Sequence, residues 1–495
     1  MRLSILILAA VAVALGPFVG CSNRTVMTPV VIPSPECVIS QGLVETANTI
    51  TVALLDDISP GNAPVARNDS ERILFRHVYE TLITVDCLGR VQAGLAKGWR
   101  RGGDGRIWTF ELREDVQFWD GTPLTAEDVI RSWRRFMVET MVTAAGIDST
   151  GIVKEHVLRV YFDRPHREVP RVLSSLEFAV VKRAGESLWP VGSGSYRIET
   201  PVQKDAAEFN RTVVCTPVSY REGPVIRFVE TRMSDTRDLL EGVIDVMVTA
   251  DPAVIEYALR RPQLTTVALP WNRTYVLLSP SRVLKLLQGG TVGDLPPDLL
   301  DGFAQDAVRG DARGHRSPSW WETLDECGRF YPPAEGNPPM PYGAHAGSGL
   351  RRILYAMKDP IARDLAERIV ALAATDTISS SEAAELAHAV PGLIGNDFRI
   401  VTEGKPEKEL EMSIRDGDEF AYIIPVSCQW TDPCYEERRL TNSAPWLSIE
   451  VVDLSDALIP LVDTRRYVIV DRSSVEPVID YSGDILITNG VSQER

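Results

Sequence analysis

Residues 79–133 read YETLITVDCLGRVQAGLAKGWRRGGDGRIWTFELREDVQFWDGTPLTAEDVIRSW, and the local grammar of this stretch decides the class of fold. In 107–112, Trp108, Phe110 and Leu112 fall on one side of an extended chain, and Thr109 and Glu111 on the other. That is the period-two pattern of a half-buried strand. A second short strand is expected over 116–119, ending at the Asp120-Gly121 turn, where glycine supplies the backbone freedom a tight turn needs. Thr125-x-x-Asp128 then reads as a capping box: the hydroxyl can accept a first-turn N–H while the carboxylate returns the bond. Behind it Val129, Trp133 and Phe136 share one helical face. The order is strand, strand, turn, capped helix.

Working outward, 50–55 (ITVALL) predicts a strand, 56–64 a loop, and 70–83 a helix with Ile73, Leu74, Val78 and Leu82 at helical spacing. Downstream, 157–162 and 178–181 predict further strands; 235–241 predicts a short helix stopped by Gly242, with an apolar strand over 243–248. Helix followed by buried strand is α/β grammar. Residues 288–349 are rich in Gly and Pro with weak periodicity and read as an irregular region. Order returns with a strand over 353–357 and a helix over 359–374, striped by Ile361, Leu365, Ile369 and Leu372. Ser379-x-x-Glu382 predicts the cap of a helix over 383–390, which stops at Pro391-Gly392; 420–426 and 467–470 predict late strands. The pattern has no fixed-period repeat. With 495 residues, 44% of them hydrophobic, the chain can bury several domain-sized cores.

A formal charge of −16 argues against nucleic acid, which needs a basic surface. Arg2, the apolar run 3–15 and the small residues before Cys21 form a secretory signal too short to span a bilayer as an ordinary helix. The ending Phe18-Val19-Gly20-Cys21 resembles the bacterial lipoprotein box, with Phe18 where Leu is usual; it implies cleavage of 1–20 and lipidation of Cys21. Residues 21–41, proline-rich and without periodicity, read as a tether. Export makes the other six cysteines candidates for pairing. Cys428 and Cys434, spaced C-x5-C, are the most local pair. None has zinc spacing, and the six histidines share no i, i+4 face, so no metal site is expected.

Catalytic signatures are missing. Gly192-Ser193-Gly194-Ser195 lacks the lysine and spacing of a phosphate loop and is not a nucleophile elbow. Gly347-Ser348-Gly349 fails likewise. A two-carboxylate hydrolase leaves no sequence spacing to read, but no acidic pair is marked out, and the chain is not expected to be an enzyme.

Read as a whole, 79–133 resembles the family 5 extracellular solute-binding proteins of ABC importers, which include oligopeptide- and dipeptide-binding proteins. The matching features come in order: Tyr79-Glu80-Thr81-Leu82, Gly94-Leu95-Ala96, Trp99, Trp108-Thr109-Phe110, Leu112-Arg113, and the run from Asp120-Gly121-Thr122-Pro123 to Asp128-Val129. Fainter likenesses follow. Gly192 to Tyr196 is similar to the family's G-T-G-P-Y turn, with Ser195 in place of Pro; Gly242-Val243-Ile244-Asp245 is similar to its Gly-x-Ile-Asp element; 362–373 resembles its later helix; and Trp430-Thr431-Asp432-Pro433 resembles its segment beside the ligand. Around 275–284 the usual Asn-bearing strand and Pro-Phe-x-Asp element are replaced by Ser279-Pro280-Ser281-Arg282, a departure in the second lobe.

The resemblance implies an α/β, two-lobed periplasmic-binding-protein-like fold (type II, family 5 layout) with a hinge and an inter-lobe cleft. The first lobe would comprise 42–270 plus 456–495, with a subdomain at about 68–175; the second would be 271–455. It implies a ligand set of Asp432, Trp430, Trp271, Tyr275, Ser193 and Gly194, with Asp432 pairing a peptide's α-ammonium group and Trp430 packing beside it. Asp432-Pro433 can also be a simple turn. No cofactor is implied. The partners implied are a peptide or peptide-like ligand, an ABC permease and, through the lipid, the membrane, with the protein itself a monomer. The competing readings are another ligand (nickel chelate, haem, oligosaccharide) or a sensor or scaffold lipoprotein without transport.

Overall fold

The computed structural model describes residues 35–39, 48–136, 145–183, 185, 188–199, 212–218, 223–231, 242–308, 310–316, 321, 349–374, 381–395, 398–427, 433–447, 454–472, 475–480 and 483–487. The signal segment, Cys21, the helix expected at 235–241, Ser379, and Cys428, Trp430 and Asp432 lie outside them.

Two mixed sheets dominate. The first runs, in spatial order, Leu264–Ala268, Tyr467–Asp471, Val246–Thr249, Thr49–Leu54, Val225–Glu230, Thr212–Pro217, Tyr196–Ile198. Thr49–Leu54 sits at its centre, parallel to both neighbours and buried from Ile50 onward, as a strand covered on both faces should be. The second sheet runs Ala312–Gly314, Leu458–Thr464, Arg273–Leu278, Ala421–Ser427, Leu350–Ala356, Arg399–Lys405. A four-stranded antiparallel sheet, Ala96–Arg101, Ile107–Leu112, Val157–Phe162, Ile147–Lys154, stands apart on its own core with the helix Ala126–Phe136.

The chain passes between the large sheets twice, from Leu264–Ala268 into Arg273–Leu278 and from Leu458–Thr464 back into Tyr467–Asp471. Each pair is antiparallel within its own sheet, so the hinge is a two-strand ribbon shared by both lobes. The return lies at 465–466, later than the 456 read from sequence, because Leu458–Thr464 pairs with Arg273–Leu278 in the second sheet. The near end of the expected tether is also folded: Cys37 and Ile39 are buried, Val38 bridges Val478, and Cys37 is bonded to Cys87.

Several local expectations hold and several shift. Trp108, Phe110 and Leu112 are buried while Thr109 and Glu111 are half-exposed. The Asp128 carboxylate accepts the Thr125 N–H at 2.9 Å, but the Thr125 hydroxyl donates to the same oxygen at 2.7 Å instead of accepting. The helix expected over 70–83 is Asp69–Val78. It stops because 192–194 packs across its end: Gly194 N–H donates to the orphaned Val78 carbonyl, and a Cβ on Gly192 or Gly194 would lie within 2.3 or 2.6 Å of Val78 backbone atoms. The strand expected at 178–181 is a single turn, Leu176–Phe178, whose Phe178 and Ala179 carbonyls accept from Trp133 Nε1 and Ser132 Oγ instead of from a strand. The strand expected at 116–119 reduces to a single bridge between Gln117 and Pro123, flanked by Phe118 N–H donating to the Thr122 carbonyl and Leu124 N–H to the Val116 carbonyl. Within 288–349, read as irregular, Pro297–Asp306 is a helix burying Leu299, Leu300, Phe303 and Ala304.

His77 gives the first lobe an acid-sensitive joint. Its Nδ1–H donates to the Ile73 carbonyl at 2.7 Å and its Nε2 accepts the Ile487 N–H at 2.9 Å, which fixes a neutral tautomer. Burial lowers its pKa to about 4. The folded state therefore binds this proton more weakly than the unfolded chain, and the stability it contributes is complete above the unfolded pKa of about 6.5 and lost as pH falls towards 4. The expected loss is on the order of 3 kcal/mol, visible as a falling urea midpoint from pH 7 to pH 4. An imidazole resonance titrating near its ordinary value would contradict it.

Candidate functional site

The lobes meet at the N-terminal half of the helix Asp69–Val78. Asn68 caps it, its side-chain oxygen accepting the Glu71 N–H at 2.8 Å. The fully buried Glu71 carboxylate collects Ser59 N–H, Asn62 Nδ2–H and Arg67 N–H at 2.7–2.8 Å, tying the preceding loop to the helix. The helix then presents Asp69, Arg72 and Arg76, at i, i+3 and i+7, on one side.

Asp69 receives three arginines: Arg273 Nη2 at 2.5 Å, Arg72 Nη2 at 2.6 Å and Arg466 Nη1 at 3.1 Å. Arg273 and Arg466 stand at the two hinge crossings, so one first-lobe carboxylate is gripped from both hinge strands. Burial works against the Asp69 charge, but Arg273, Arg466 and Arg72 outweigh it and hold the carboxyl far below its usual range. Arg72 also reaches Asp484 at 3.0 Å, and Arg76 lies 3.6 Å from Asp480. Burial and the Asp484 carboxylate push Asp480 up to about 6.

Away from the hinge, the helix Pro433–Ser443 of the second lobe docks on the small sheet's core. Tyr435 joins that core, its ring 6.2 Å from Phe178 with the planes at 65°. Arg438 pairs with Asp163 at 2.9 Å. Lys358–Asp57 and Arg67–Glu411 also bridge the lobes, but all four side chains are at least half exposed, and such pairs contribute about 1 kcal/mol at most.

The residues expected from sequence fall in different places. Tyr275 is buried in the second lobe; its hydroxyl donates to Asp359 at 3.1 Å beside Arg273, while Asp359 caps the helix Pro360–Ala374. Trp271, in the crossing, is sandwiched between the guanidiniums of Arg313 and Arg465, each 4.6 Å from its ring, a cation–π clamp. Gly194 accepts from Trp119 Nε1 at 3.3 Å. Ser193 is 1% exposed and its hydroxyl has no hydrogen-bond partner. Cys434 is disulfide-bonded, and the expected partner Cys428, with Trp430 and Asp432, is outside the described residues. Among the described residues no group of three or more His, Cys, Asp or Glu could hold a metal ion.

Sequence reading missed Asp69, Arg72, Arg273 and Arg466. The first two had a signal, Asn68-x-x-Glu71 with charges at helical spacing behind it. The second two had none, because their convergence depends on how the hinge strands pair.

Residues 90–281 match the family model described as bacterial extracellular solute-binding proteins, family 5, middle region. The periplasmic murein peptide-binding protein MppA of Escherichia coli is 27% identical over 159 residues, 26% of this chain and 29% of that protein, so the matched segment spans under a third of that relative. Over the whole fold, the structure of the E. coli murein tripeptide binding protein MppA superposes with a TM-score of 0.59 at 15% identity, covering 90% of this chain and 99% of the other. NikA from Staphylococcus aureus in complex with Ni(L-His)2 gives 0.57 at 13% identity, covering 89% and 100%. With the two lobes, the shared hinge ribbon and the signature of 79–133 in place, residues 90–281 are similar to the middle region of the family 5 extracellular solute-binding proteins, and the fold is that of MppA and NikA.

Proposed function

We propose that this protein captures a peptide or peptide-like ligand between its lobes outside the cytoplasm, held to a membrane by lipid on Cys21, and presents it to an ABC permease. The observation that carries the reading is the seam. Two lobes on a two-strand hinge meet through ionised side chains, Asp69 with Arg273 and Arg466, and Asp163 with Arg438. A peptide offers an ammonium, a carboxylate and a ladder of amides, and a cleft lined with ions of both signs can replace the water those groups lose. The sequence match to a murein peptide-binding protein supports the same ligand class. Asp432, next to the docked helix Pro433–Ser443, is the carboxylate assigned to the α-ammonium, with Trp430 beside it. Trp271 lies in the hinge crossing and Tyr275 in the strand after it, while Ser193 and Gly194 stand at the Val78 end of the helix Asp69–Val78.

Closure would be a population shift about the ribbon, with each lobe's internal fold unchanged. Mass spectrometry of natively purified protein should find a retained peptide. Adding it back to ligand-stripped protein should reduce the radius of gyration in small-angle scattering, and Asp432→Ala should weaken its binding by about 30-fold or more. A retained nickel chelate, haem or sugar would displace the peptide reading. An unchanged scattering profile at saturation would point to a rigid scaffold or sensor.

A further inference from the structure

The seam between Pro433–Ser443 and the first lobe holds a group of buried oxygens without hydrogen-bond partners. Glu436 is 3% exposed. Arg439 occupies its Oε2, with Nε and Nη2 both at 2.9 Å, while Oε1 is buried with no hydrogen-bond partner. The neighbouring Tyr435, 1% exposed, has a buried hydroxyl likewise unpartnered. Facing them from the first lobe is Glu177, on the turn Leu176–Phe178 that also carries the ring against Tyr435. Its Oε2 is buried and unpartnered too. The three groups sense one another: burial, which Arg439 offsets only in part, makes both Tyr435 and Glu436 harder to ionise, and the Glu177 charge adds to it.

A buried carboxylate oxygen left without a donor is costly, and more than one is gathered here. The Asp69 carboxylate, by contrast, has its partners in Arg72, Arg273 and Arg466. The missing chemistry is a compact cation with several N–H donors. Primary ammonium fits: it can donate to Glu436 Oε1, Glu177 Oε2 and the tyrosine oxygen together. Guanidinium is planar and donates as a fork, which suits facing carboxylates less when one of them already has a fork on it from Arg439.

We propose that Glu436, Tyr435 and Glu177 form a primary-ammonium subsite, completed when the second lobe's helix meets the first lobe. It deepens the peptide reading, on which it rests, by assigning an amino group of the ligand to this place. That group is either a lysine-type side-chain ammonium or, in place of its pairing with Asp432, the α-ammonium.

Calorimetry with four tripeptides separates the two sources: Ala-Lys-Ala and Ala-Nle-Ala, each free and Nα-acetylated. If the α-ammonium docks here, Glu436→Gln and Glu177→Gln each weaken both free peptides by about 30-fold or more and leave the acetylated ones unchanged. If the side-chain ammonium docks, the loss follows lysine and ignores acetylation. Either pattern upholds the subsite; variants that bind all four peptides as the wild type does overturn it. A second measurement needs no peptide. n-Butylammonium should raise the wild-type melting temperature above that in tetramethylammonium at equal ionic strength, and Glu436→Gln should abolish the difference. Should no tripeptide bind the wild type, the peptide reading falls and the amine result decides. A difference lost in Glu436→Gln keeps the subsite; no difference in the wild type, or the same one in both proteins, removes it.

Discussion

Asp69→Ala is expected to lower the free energy of unfolding by about 3–5 kcal/mol, the cost typical of removing one partner of a buried ionic group. The size follows from what is left behind. Arg72, Arg273 and Arg466 all converge on this carboxylate within 3.1 Å, and Arg72 and Arg466 are at most 12% exposed. Without Asp69, three guanidiniums face each other across the hinge, with Asp484 and Asp480 beside Arg72 and Asp359 and Asp56 near Arg273. Asp69→Asn should lose less, since the amide oxygen still accepts. The loss should persist in high salt, because buried pairs are poorly screened. Its pH dependence has a definite sign. The folded carboxyl sits far below its ordinary value, so the contribution is present at every pH above the unfolded value of about 3.9 and is lost only in stronger acid. Urea unfolding of wild type and both variants at pH 7 measures the effect. A loss under 1 kcal/mol for the alanine variant would mean the arginines find other acceptors, and the hinge would need another explanation.

The contrast between Asp69 and Arg273 shows what the sequence could and could not disclose. Periodicity was a reliable guide where one chain segment packs against one surface. The strands Thr49–Leu54 and Ile107–Leu112 and the helix Pro360–Ala374 were all legible from apolar spacing. The family resemblance was legible because its signature is itself local, two strands, a turn and a capped helix in fixed order. Elements failed to read where tertiary partners override local pattern. The 70–83 stripe continues past Val78, but the glycine turn 192–194 packs on the helix end and the chain leaves as extended backbone at Tyr79. Arg273–Leu278 and Leu458–Thr464 carry no period-two signal, because their runs 275–278 and 458–462 are buried on both faces and apolar. The candidate site suffers from the same cause. Its charges come from 69–76, 163–177, 273, 433–439 and 466, and no spacing in the sequence links them. Only the strand order brings them to one seam.

The departure at 279–284 also finds a physical reading. Arg282, 1% exposed, donates from Nε to the Asp456 carbonyl at 2.5 Å and from Nη1 to the Gly293 and Ala389 carbonyls at 2.7 and 2.8 Å. Here it ties three second-lobe segments together through orphaned backbone oxygens. The lobe is divergent in sequence but internally satisfied at this point, which argues against simple decay.

Breaking the Cys37–Cys87 bond should be the other large effect. The crosslink spans 50 residues, and chain-entropy arguments give about 4 kcal/mol for a loop of that length. The native side makes the full value plausible. Cys37 lies on the turn Pro35–Cys37 at 2% exposure, and its sulfur accepts the Cys87 N–H at 3.2 Å. Cys87 follows Asp86, whose side chain already organises the turn by accepting the Leu88 and Arg90 N–H groups. Beyond the bond, Val38 pairs with Val478 and Ile39 N–H donates to the Pro477 carbonyl at 2.9 Å, so the segment entering the first lobe is held by the disulfide and two short backbone contacts. Cys37→Ser should therefore lower the urea midpoint in oxidising buffer, and the Cys37→Ser, Cys87→Ser double variant should match it instead of adding to it. In reductant, which opens the Cys434 disulfide in both proteins as well, wild type and Cys37→Ser should share one midpoint. The prediction bears on compartment as well, since disulfides persist outside the reducing cytoplasm. Protein directed to the cytoplasm by deleting 1–20 should behave as the serine variant does in reductant until oxidised. Equal midpoints for oxidised wild type and Cys37→Ser would show that this bond contributes nothing to holding the N-terminal segment, and would remove the stability argument for export.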